Sequence, residues 1–206
     1  MAGTEKYVEY MGFDNLVMAE VTADDAENYT TGEVTVLAPA GEIKKTTERD
    51  QASRSYDNQT YLVIKSEGDD SVDLVVPILP LAKEAEITGA DYDPTTGVLS
   101  NDGKPKTKYF ALGYRLLCSD DTYRYVWRNK GTLTMGDEEA KSKEGTDSNN
   151  TTLTYTGVQT IHKFTASGKG CKDMVADERD DLLDYSKWFE QVVTPDNITT
   201  LKNVSG

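Results

Sequence analysis

The stretch that decides the fold is residues 109–134, which reads YFALGYRLLCSDDTYRYVWRNKGTLT. Its two halves, 109–119 and 122–134, are rich in aromatic and aliphatic residues, which favour a pleated, half-buried surface. Between them lie Asp120 and Asp121, and aspartate is typical of tight turns. The stretch therefore predicts a long β-hairpin, and a β-rich fold becomes the first hypothesis for the chain.

Shorter runs of similar character lie on both sides of this hairpin. They are residues 16–21, 33–37, 41–49, 60–67, 71–76 and 151–164. Gly68, Asp69 and Asp70 separate two of these runs, and such turn-forming residues predict a second hairpin. Because strand patterns fill most of the chain, we predict a mainly β fold.

Two segments carry the pattern of a helix instead of a strand. Pro80 and Gly89 bracket the first, since proline suits a first helical turn and glycine favours the end of a helix. The second spans residues 177–193, where apolar residues recur every three or four positions and Asp177 can cap the N-terminus. The sequence therefore predicts two short helices, one of them near the C-terminus.

The length of 206 residues suits one ordinary domain, and we predict a single domain over residues 1–206. Its core is expected over 14–194, with long polar loops at 50–59 and 136–150 and a flexible tail at 195–206. Leu, Ile, Val and Phe together make up only about one fifth of the chain, a level at which charged chains approach disorder. The 12 Tyr and 2 Trp must therefore contribute to the core.

The chain is strongly acidic, with a formal net charge of −14. This charge argues against a surface that grips nucleic acid, because contacts to phosphates need a cationic patch. No apolar run reaches the length of a membrane span, so none is expected. The N-terminus has no basic segment followed by an apolar stretch, so we expect no secretory signal and predict synthesis in a cytoplasm.

Residues that could support catalysis or metal binding are few. His162 is the only histidine, and a structural or surface role is the preferred interpretation for it. Cys118 and Cys171 lie far apart, without the spacing of metal ligands. Residues 91–102 begin like a calcium loop, but the glycine comes one position late, so a plain turn is preferred. We therefore expect no catalytic, cofactor-binding or metal site.

Tyr123, Tyr125 and Trp127 alternate along the predicted hairpin and so share one face of the sheet. Such a stripe is a candidate platform for stacking sugars. Burial against the core is the preferred interpretation, because the chain has few aliphatic residues. In the same way, Trp188 and Phe189 are expected to dock the C-terminal helix on the sheet instead of binding a partner.

Ordered pieces of the sequence resemble the phi-thirteen type major tail proteins of long-tailed bacteriophages of Gram-positive bacteria. The most specific pieces are FALGYR at 110–115 and SDDTYRYVWRNKG at 119–131. The others, in chain order, are NLVMAE (15–20), LPLAK (79–83), ITG (87–89), YDPTTGVL (92–99), EEAKSK (138–143), LTYTG (153–157), ADE (176–178) and KWF (187–189). The resemblance covers about residues 15–193, whereas 41–59 and 168–175 depart from the family pattern.

The resemblance implies a tail-tube β-sandwich with a structural role, without catalysis and without a cofactor. Its subunits would self-assemble into stacked, hexameric rings that form the hollow tube through which phage DNA is ejected, without specific binding of the DNA. The expected partners are further copies of the chain and the tape measure, tail terminator and distal tail proteins, with no membrane partner. The expected location is the virion tail, after synthesis in the host bacterial cytoplasm.

A tube subunit needs open strand edges, since head-to-tail pairing of such edges can close into a ring. We therefore predict that residues 41–49 and 60–67 form a hairpin whose arm, 50–59, contacts an adjacent subunit or ring. The alternative hypothesis is a virion- or cell-surface β-sandwich binding module that recognises carbohydrate or protein through the aromatic stripe. A hydrolase that uses acidic residues is a third hypothesis, although no pair of carboxylates stands out.

Overall fold

The computed structural model describes residues 7–56, 59–104, 106–137 and 150–203, and its fold is mainly β, as predicted. The strands are β1 (Tyr10–Asp24), β2 (Tyr29–Thr31), β3 (Thr35–Val36), β4 (Glu42–Tyr56), β5 (Gln59–Val76), β6 (Asp91–Asp93), β7 (Val98–Ser100), β8 (Phe110–Cys118), β9 (Tyr123–Met135), β10 (Thr151–Gly157) and β11 (Asp173–Asp177). One α-helix is present in the described residues, α1 (Leu81–Thr88). Three short 3-10 turns follow β11, at Glu178–Asp180, Tyr185–Lys187 and Ile198–Leu201.

Nine strands form one curled sheet in the order β2-β1-β8-β9-β10-β5-β4, with β3 on β1 and β11 on β9. β9 belongs to both halves of this sheet. Its residues 124–128 pair with β11, whereas its residues 131–135 pair with β10. The sheet therefore forks along β9 and curls into a β-sandwich type of fold, while β6 and β7 form a separate two-stranded ribbon.

The predicted hairpin over residues 109–134 is confirmed as β8 and β9. The N–H of Cys118 donates to the carbonyl of Thr122 at 2.8 Å, and Asp121 has a φ of 62°. Aspartate tolerates this left-handed conformation better than most residues, which explains its place in the turn. β1 pairs with the other side of β8, so the hairpin lies in the middle of the sheet.

Two apolar clusters pack on opposite faces of the sheet, because successive residues of a strand point to opposite faces. On β8, Phe110 belongs to the first cluster and Ala111 to the second. The first cluster includes Ile87 of α1. The second is built around Trp127 of β9, and Trp188 from the C-terminal segment packs within it.

The first predicted helix is confirmed as α1. Pro80 stands at its N-cap with an extended backbone (φ −60°, ψ 142°). Gly89 ends the helix with a φ of 71°, and its N–H donates to the carbonyl of Ala85 at 2.8 Å. Only a residue without a Cβ adopts this left-handed conformation freely, so the glycine stops the helix.

The C-terminal segment takes the form of short 3-10 turns instead of a continuous helix over residues 177–193. Asp177 caps the first turn, as expected, but Asp181 then leaves the helical path with a φ of 48°. Asp184 caps the second turn by accepting from the N–H of Ser186. Aspartate side chains satisfy the backbone locally in this way, and that competes with a long helix.

The predictions for residues 50–59 and for the second hairpin are wrong. Residues 50–56 belong to β4 and Gln59 begins β5, so these residues extend a hairpin instead of forming a loop, while residues 57–58 lie outside the described residues. The runs at 60–67 and 71–76 are not two strands joined by a turn, because β5 continues through both. Pairing with β4 and β10 along this length outweighs the local preference of glycine and aspartate for a turn.

The predicted flexible tail, 195–206, is also wrong as far as it is described, because Leu201 is buried in the second cluster. The last predicted strand ends early, at Gly157. Of the predicted loop at 136–150, residues 138–149 lie outside the described residues.

Candidate assembly interface

The candidate interface is the outer part of the β4–β5 hairpin, residues 49–56 and 59–67, which we call the arm. β10 pairs with β5 only from Asp70 to Val76, so each strand of the arm has the other as its only partner among the described strands. At about 3.3 Å per residue, residues 59–67 span about 30 Å. A hairpin forms here, but its predicted pairing is wrong: residues 42–49 pair with 67–75, and residues 60–67 pair with 49–55, most of which the sequence predicts as a loop. Contact of the arm with an adjacent subunit stays a prediction.

Three consecutive apolar residues of the arm are half exposed. The exposed fractions are 48% for Leu62, 45% for Val63 and 50% for Ile64. Because strand side chains alternate, Leu62 and Ile64 lie on one face of the ribbon and Val63 lies on the other. A two-stranded ribbon cannot bury either face by itself, so these residues offer a surface for another chain.

A β-bulge lies where the arm begins. The register shifts between residues 47 and 49, so that Glu48 of β4 faces two residues of β5, Gly68 and Asp69. Such a bulge bends the strand and increases its twist. A Cβ on Gly68 would lie 3.1 Å from the Cβ of Glu48, a tight contact that glycine avoids. The residues that suggested a turn from sequence therefore form this bulge.

A buried cluster of charges lies at the root of the arm and is centred on Asp70, which is 1% exposed. Its carboxylate accepts from Arg128 Nη1 at 2.6 Å and from Thr47 Oγ1 at 2.7 Å. The ammonium groups of Lys172 and Lys45 lie at 3.0 Å and 3.2 Å. Burial alone would raise the pKa of Asp70, but these hydrogen bonds and charges outweigh it, so the pKa lies below its usual range.

The same cluster connects β11 to the root of the arm. Arg128 of β9 also contacts Asp173 of β11 at 3.1 Å. Lys172 donates to the carbonyl of Gly68 at 2.6 Å and lies 3.3 Å from the carboxylate of Glu67. These pairs therefore connect β9, β11 and β5 at the fork of the sheet, and removal of one partner would leave a buried charge uncompensated.

The aromatic stripe of β9 belongs to the core, as preferred from the sequence. Trp127 is fully buried and Tyr125 is nearly so. The ring of Tyr125 stacks on that of Tyr185 with centroids 4.8 Å apart, and Trp127 Nε1 donates to the carbonyl of Trp188 at 2.9 Å. Two of the three residues of the proposed sugar platform are therefore covered by the C-terminal segment, and the docking role of Trp188 is confirmed.

The other aromatic residues singled out from the sequence lie at the rim of this cluster. Tyr123 is half-buried, and the guanidinium of Arg115 lies 4.1 Å from the centroid of its ring, a cation–π contact. Phe189 is also half-buried, and its ring centroid lies 5.9 Å from those of Tyr125 and Trp127. Both residues thus support the packing of the C-terminal segment.

The remaining candidates take part in local structure. Asp93 accepts two hydrogen bonds of 2.8 Å and holds the turn between β6 and β7, which confirms the turn predicted at residues 91–102. The ring of His162 packs edge-on against Phe164, with centroids 5.1 Å apart. Both cysteines are buried free thiols. Within the described ranges, no group of three or more His, Cys, Asp or Glu residues is arranged to hold a metal ion.

Sequence reasoning misses the charge cluster at the root of the arm. Its members Asp70, Arg128 and Lys172 are far apart in the chain, so no spacing pattern reveals them. The available signal is Arg128, a charged residue next to Trp127 in a strand that also carries Tyr125 and Val126. A charged side chain that is directed inward needs a buried partner, but the partner cannot be chosen without the strand pairing.

No helix in the part of the chain that the structure describes is long and apolar enough to cross a membrane. No protein-family model and no curated protein matches this chain.

Proposed function

We propose that this chain is a structural tail-tube subunit of a bacteriophage, which self-assembles into stacked rings around a hollow lumen. The observation that carries the proposal is the arm, a ribbon of about 30 Å with half-exposed apolar residues and no further strand partner among the described residues. In a protein that stays alone, such a ribbon promotes aggregation, whereas an assembly pairs and buries it. The resemblance to the phi-thirteen type major tail proteins supports the same function.

Both ends of the sheet suit assembly by strand pairing. At one end β4 runs for 15 residues with β5 as its only partner among the described strands. At the other end, residues 10–14 of β1 pair with β8 alone in the described chain. A head-to-tail contact of unlike edges closes into a ring when the rotation allows it, and the strands can then line a common barrel. We propose hexameric rings because the resemblance implies them.

The acidic composition suits a conduit for DNA. With a net charge of −14, the wall of a tube would repel the duplex and prevent it from adhering during ejection. We propose that DNA passes without specific binding, in a virion tail that also contains tape measure, tail terminator and distal tail proteins, after synthesis in the host bacterial cytoplasm. A lumen of predominantly positive potential in an assembled tube would contradict this part of the proposal.

Negative-stain microscopy of the concentrated protein tests the function. Rings or tubes should form as the concentration rises, with a parallel growth of particle mass in light scattering. The matched variant lacks residues 53–58, which removes the tip of the arm and leaves the pairs from Glu42–Val75 to Ala52–Ile64 able to form. This variant should keep the β-type circular dichroism spectrum of the intact chain and remain monomeric.

Two results would count against the proposal. If the intact chain stays monomeric at every concentration and is also absent from phage particles, the tail-tube function is wrong. If the variant without residues 53–58 forms tubes in normal yield, the function stands and the role of the arm is wrong.

A further inference from the structure

The outer edge of β11 is a further open edge, in addition to those of β4 and β1. The N–H of Asn129 donates to the carbonyl of Lys172 at 3.0 Å, so the alternation of an antiparallel ladder directs the backbone groups of Val175 away from β9. No strand other than β9 pairs with β11 in the described chain. The carbonyl of Asp177 on this side accepts from Tyr185 Oη at 2.5 Å and that of Asp173 from Cys171 Sγ at 3.3 Å, so the backbone groups of Val175, at the centre of the edge, are the ones offered to a further strand.

An apolar groove borders this edge. Its apolar lining consists of Val175, Ala176, Leu182, Leu183 and Tyr185. The side chains of Val175 and Leu182 are 53% and 68% exposed, which leaves them to be covered by another surface. The cations of the lining are Lys202 and Arg124, and Arg124 is paired with Asp177 at 2.8 Å.

The rim of the groove is strongly acidic. Residues 177–184 contain one cation, Arg179, and the five carboxylates of Asp177, Glu178, Asp180, Asp181 and Asp184. Asp177 is neutralised by Arg124 and Arg179, with which it forms ion pairs. Asp180 and Asp181 are exposed, so their charge is available to a partner.

The arm offers exposed cations to this rim. Residues 49–67 contain three cations, Arg49, Arg54 and Lys65, and the three carboxylates of Asp50, Asp57 and Glu67. Arg49 pairs with Glu67, whereas Arg54 and Lys65 are exposed and can face an acidic surface. The arm also carries its half-exposed apolar residues on β5, whose outer edge is unpaired over residues 59–67 in the described structure.

Within one chain, the arm leaves the edge of β11 unfilled. β5 and β11 are both anchored at the cluster of Asp70, Arg128 and Asp173, but they form no ladder with each other in the described residues. An occupant of the edge would therefore come from another molecule, and a second copy of the chain offers an open strand edge, apolar side chains and the exposed cations Arg54 and Lys65.

We infer that the outer edge of β11, with the groove beside it, is the acceptor for the arm of a neighbouring copy, which adds to it as an extra strand. The inference rests on the proposed function, because it names the acceptor within the same assembly. Main-chain hydrogen bonds at the Val175 edge supply affinity, and the apolar residues of the arm enter the groove. Contacts of Arg54 and Lys65 with the acidic rim orient the arm.

Disulfide trapping between two differently sized chains tests the contact. One preparation carries a single new cysteine at Leu62, Val63 or Ile64, and the other carries Val175→Cys and a mass-increasing tag. The two are mixed at the concentration of assembly and oxidised, and a covalent heterodimer of intermediate mass reports a contact between chains. The native cysteines are buried and should not react. Val98→Cys, which is exposed on β7, replaces Val175→Cys as the control and should give about tenfold less heterodimer.

Charge reversal provides a second measurement. Arg54→Glu with Lys65→Glu should raise the concentration at which assembly begins by about tenfold, because like charges then face each other. Asp180→Lys with Asp181→Lys should do the same. All four substitutions in one chain should restore assembly, since every arm then meets an acceptor of opposite charge.

The outcomes separate this inference from the proposed function. In one outcome, tubes form, but no disulfide joins residues 62–64 of one chain to residue 175 of another, and the fourfold charge reversal does not restore assembly. This result would contradict the role of β11 as acceptor and leave the tail-tube function in place. Trapped heterodimers in closed dimers without rings would support the acceptor and contradict the tail-tube function. A chain that neither assembles nor cross-links would overturn both.

Discussion

The indole N–H of Trp127 donates to the backbone carbonyl of Trp188 at 2.9 Å, and both side chains are fully buried. The bond satisfies a polar group in the middle of the second cluster and ties the C-terminal segment to the centre of the sheet. The indole N–H of Trp188 itself has no partner among the described residues. Trp188 therefore holds the segment through apolar packing and its main-chain carbonyl.

The packing of Trp188 can be tested by truncation. Trp188→Ala should lower the free energy of unfolding by about 3–5 kcal/mol, because it leaves a cavity in the second cluster. Urea unfolding, followed by circular dichroism, measures the change. Val98→Ala, at an exposed position, is the control and should stay within about 0.5 kcal/mol of the parent chain. A loss of only a few tenths in Trp188→Ala would show that the segment does not depend on this side chain.

The charge cluster at the root of the arm predicts a large effect of neutralising Asp70. Asp70→Asn leaves Arg128 buried without its closest carboxylate, so the free energy of unfolding should fall by about 3–5 kcal/mol. Asp93→Asn, in the exposed turn between β6 and β7, is the matched control and should cost about 1 kcal/mol or less. Equal effects of the two substitutions would argue against the cluster as a support of the fork.

The lowered pKa of Asp70 predicts a loss of stability in acid. Since its pKa in the folded state lies below the ordinary value of about 3.9, the unfolded chain binds this proton more tightly. The stabilisation is complete well above that value and is lost as the pH falls through the folded-state pKa. Denaturant unfolding between about pH 5 and pH 2 should show a shallower decline for Asp70→Asn than for the parent chain. If the free energy of unfolding fell equally with pH in both chains, proton binding by Asp70 would not be coupled to folding.

Close packing around Gly131 of β9 should make a larger residue at this position destabilising. A Cβ at this position would collide with the ring of Tyr155 and with the carbonyl of Thr156, and Tyr155 is fully buried and cannot move aside easily. Gly131→Ala should therefore lower the free energy of unfolding by about 1–3 kcal/mol. Gly12→Ala, where no described atom lies within 4 Å of the added Cβ, should be close to neutral. If Gly131→Ala left the free energy of unfolding unchanged, the sheet would have to shift locally to make room for the added methyl group.

Substitutions in the arm should weaken assembly without lowering the stability of the monomer. Replacing Leu62, Val63 and Ile64 together by Ser should change the free energy of unfolding of the monomer little, because all three are half exposed. If burial of each side chain contributes about 1 kcal/mol to assembly, the triple variant loses about 3 kcal/mol, and the concentration at which tubes form should rise by about 100-fold. Light scattering measures this concentration, and Val98→Ser, away from the arm, is the control. Unchanged assembly by the triple variant would remove the arm from the interface.

Much of the fold could be predicted from local patterns. The β8–β9 hairpin follows from alternation on both sides of Asp120 and Asp121, and α1 follows from Pro80 and Gly89, because the causes of these elements lie within a few residues. The inward packing of Trp188 also follows from its apolar character. The continuous helix predicted around it does not form, since Asp177 and Asp184 each cap a separate short turn.

Local sequence patterns predict only part of the candidate interface. Residues 60–67 have the β-branched and aromatic character of a strand, whereas residues 50–56 are polar and become β4 only because β5 pairs with them. The charge cluster at the root could not be predicted, since it joins β4, β5, β9 and the start of β11.

The sequence by itself determined which segments are extended, where the central hairpin turns and which side chains must be buried, because alternation and turn preference act between neighbours in the chain. Only the tertiary structure decided that Gly68 and Asp69 form a bulge in one long strand, that Asp70 is buried among cations, and that the arm is left without a partner in its own chain. The physical reason is that strand register is set by hydrogen bonds and packing between residues distant in sequence, and these outweigh local preferences.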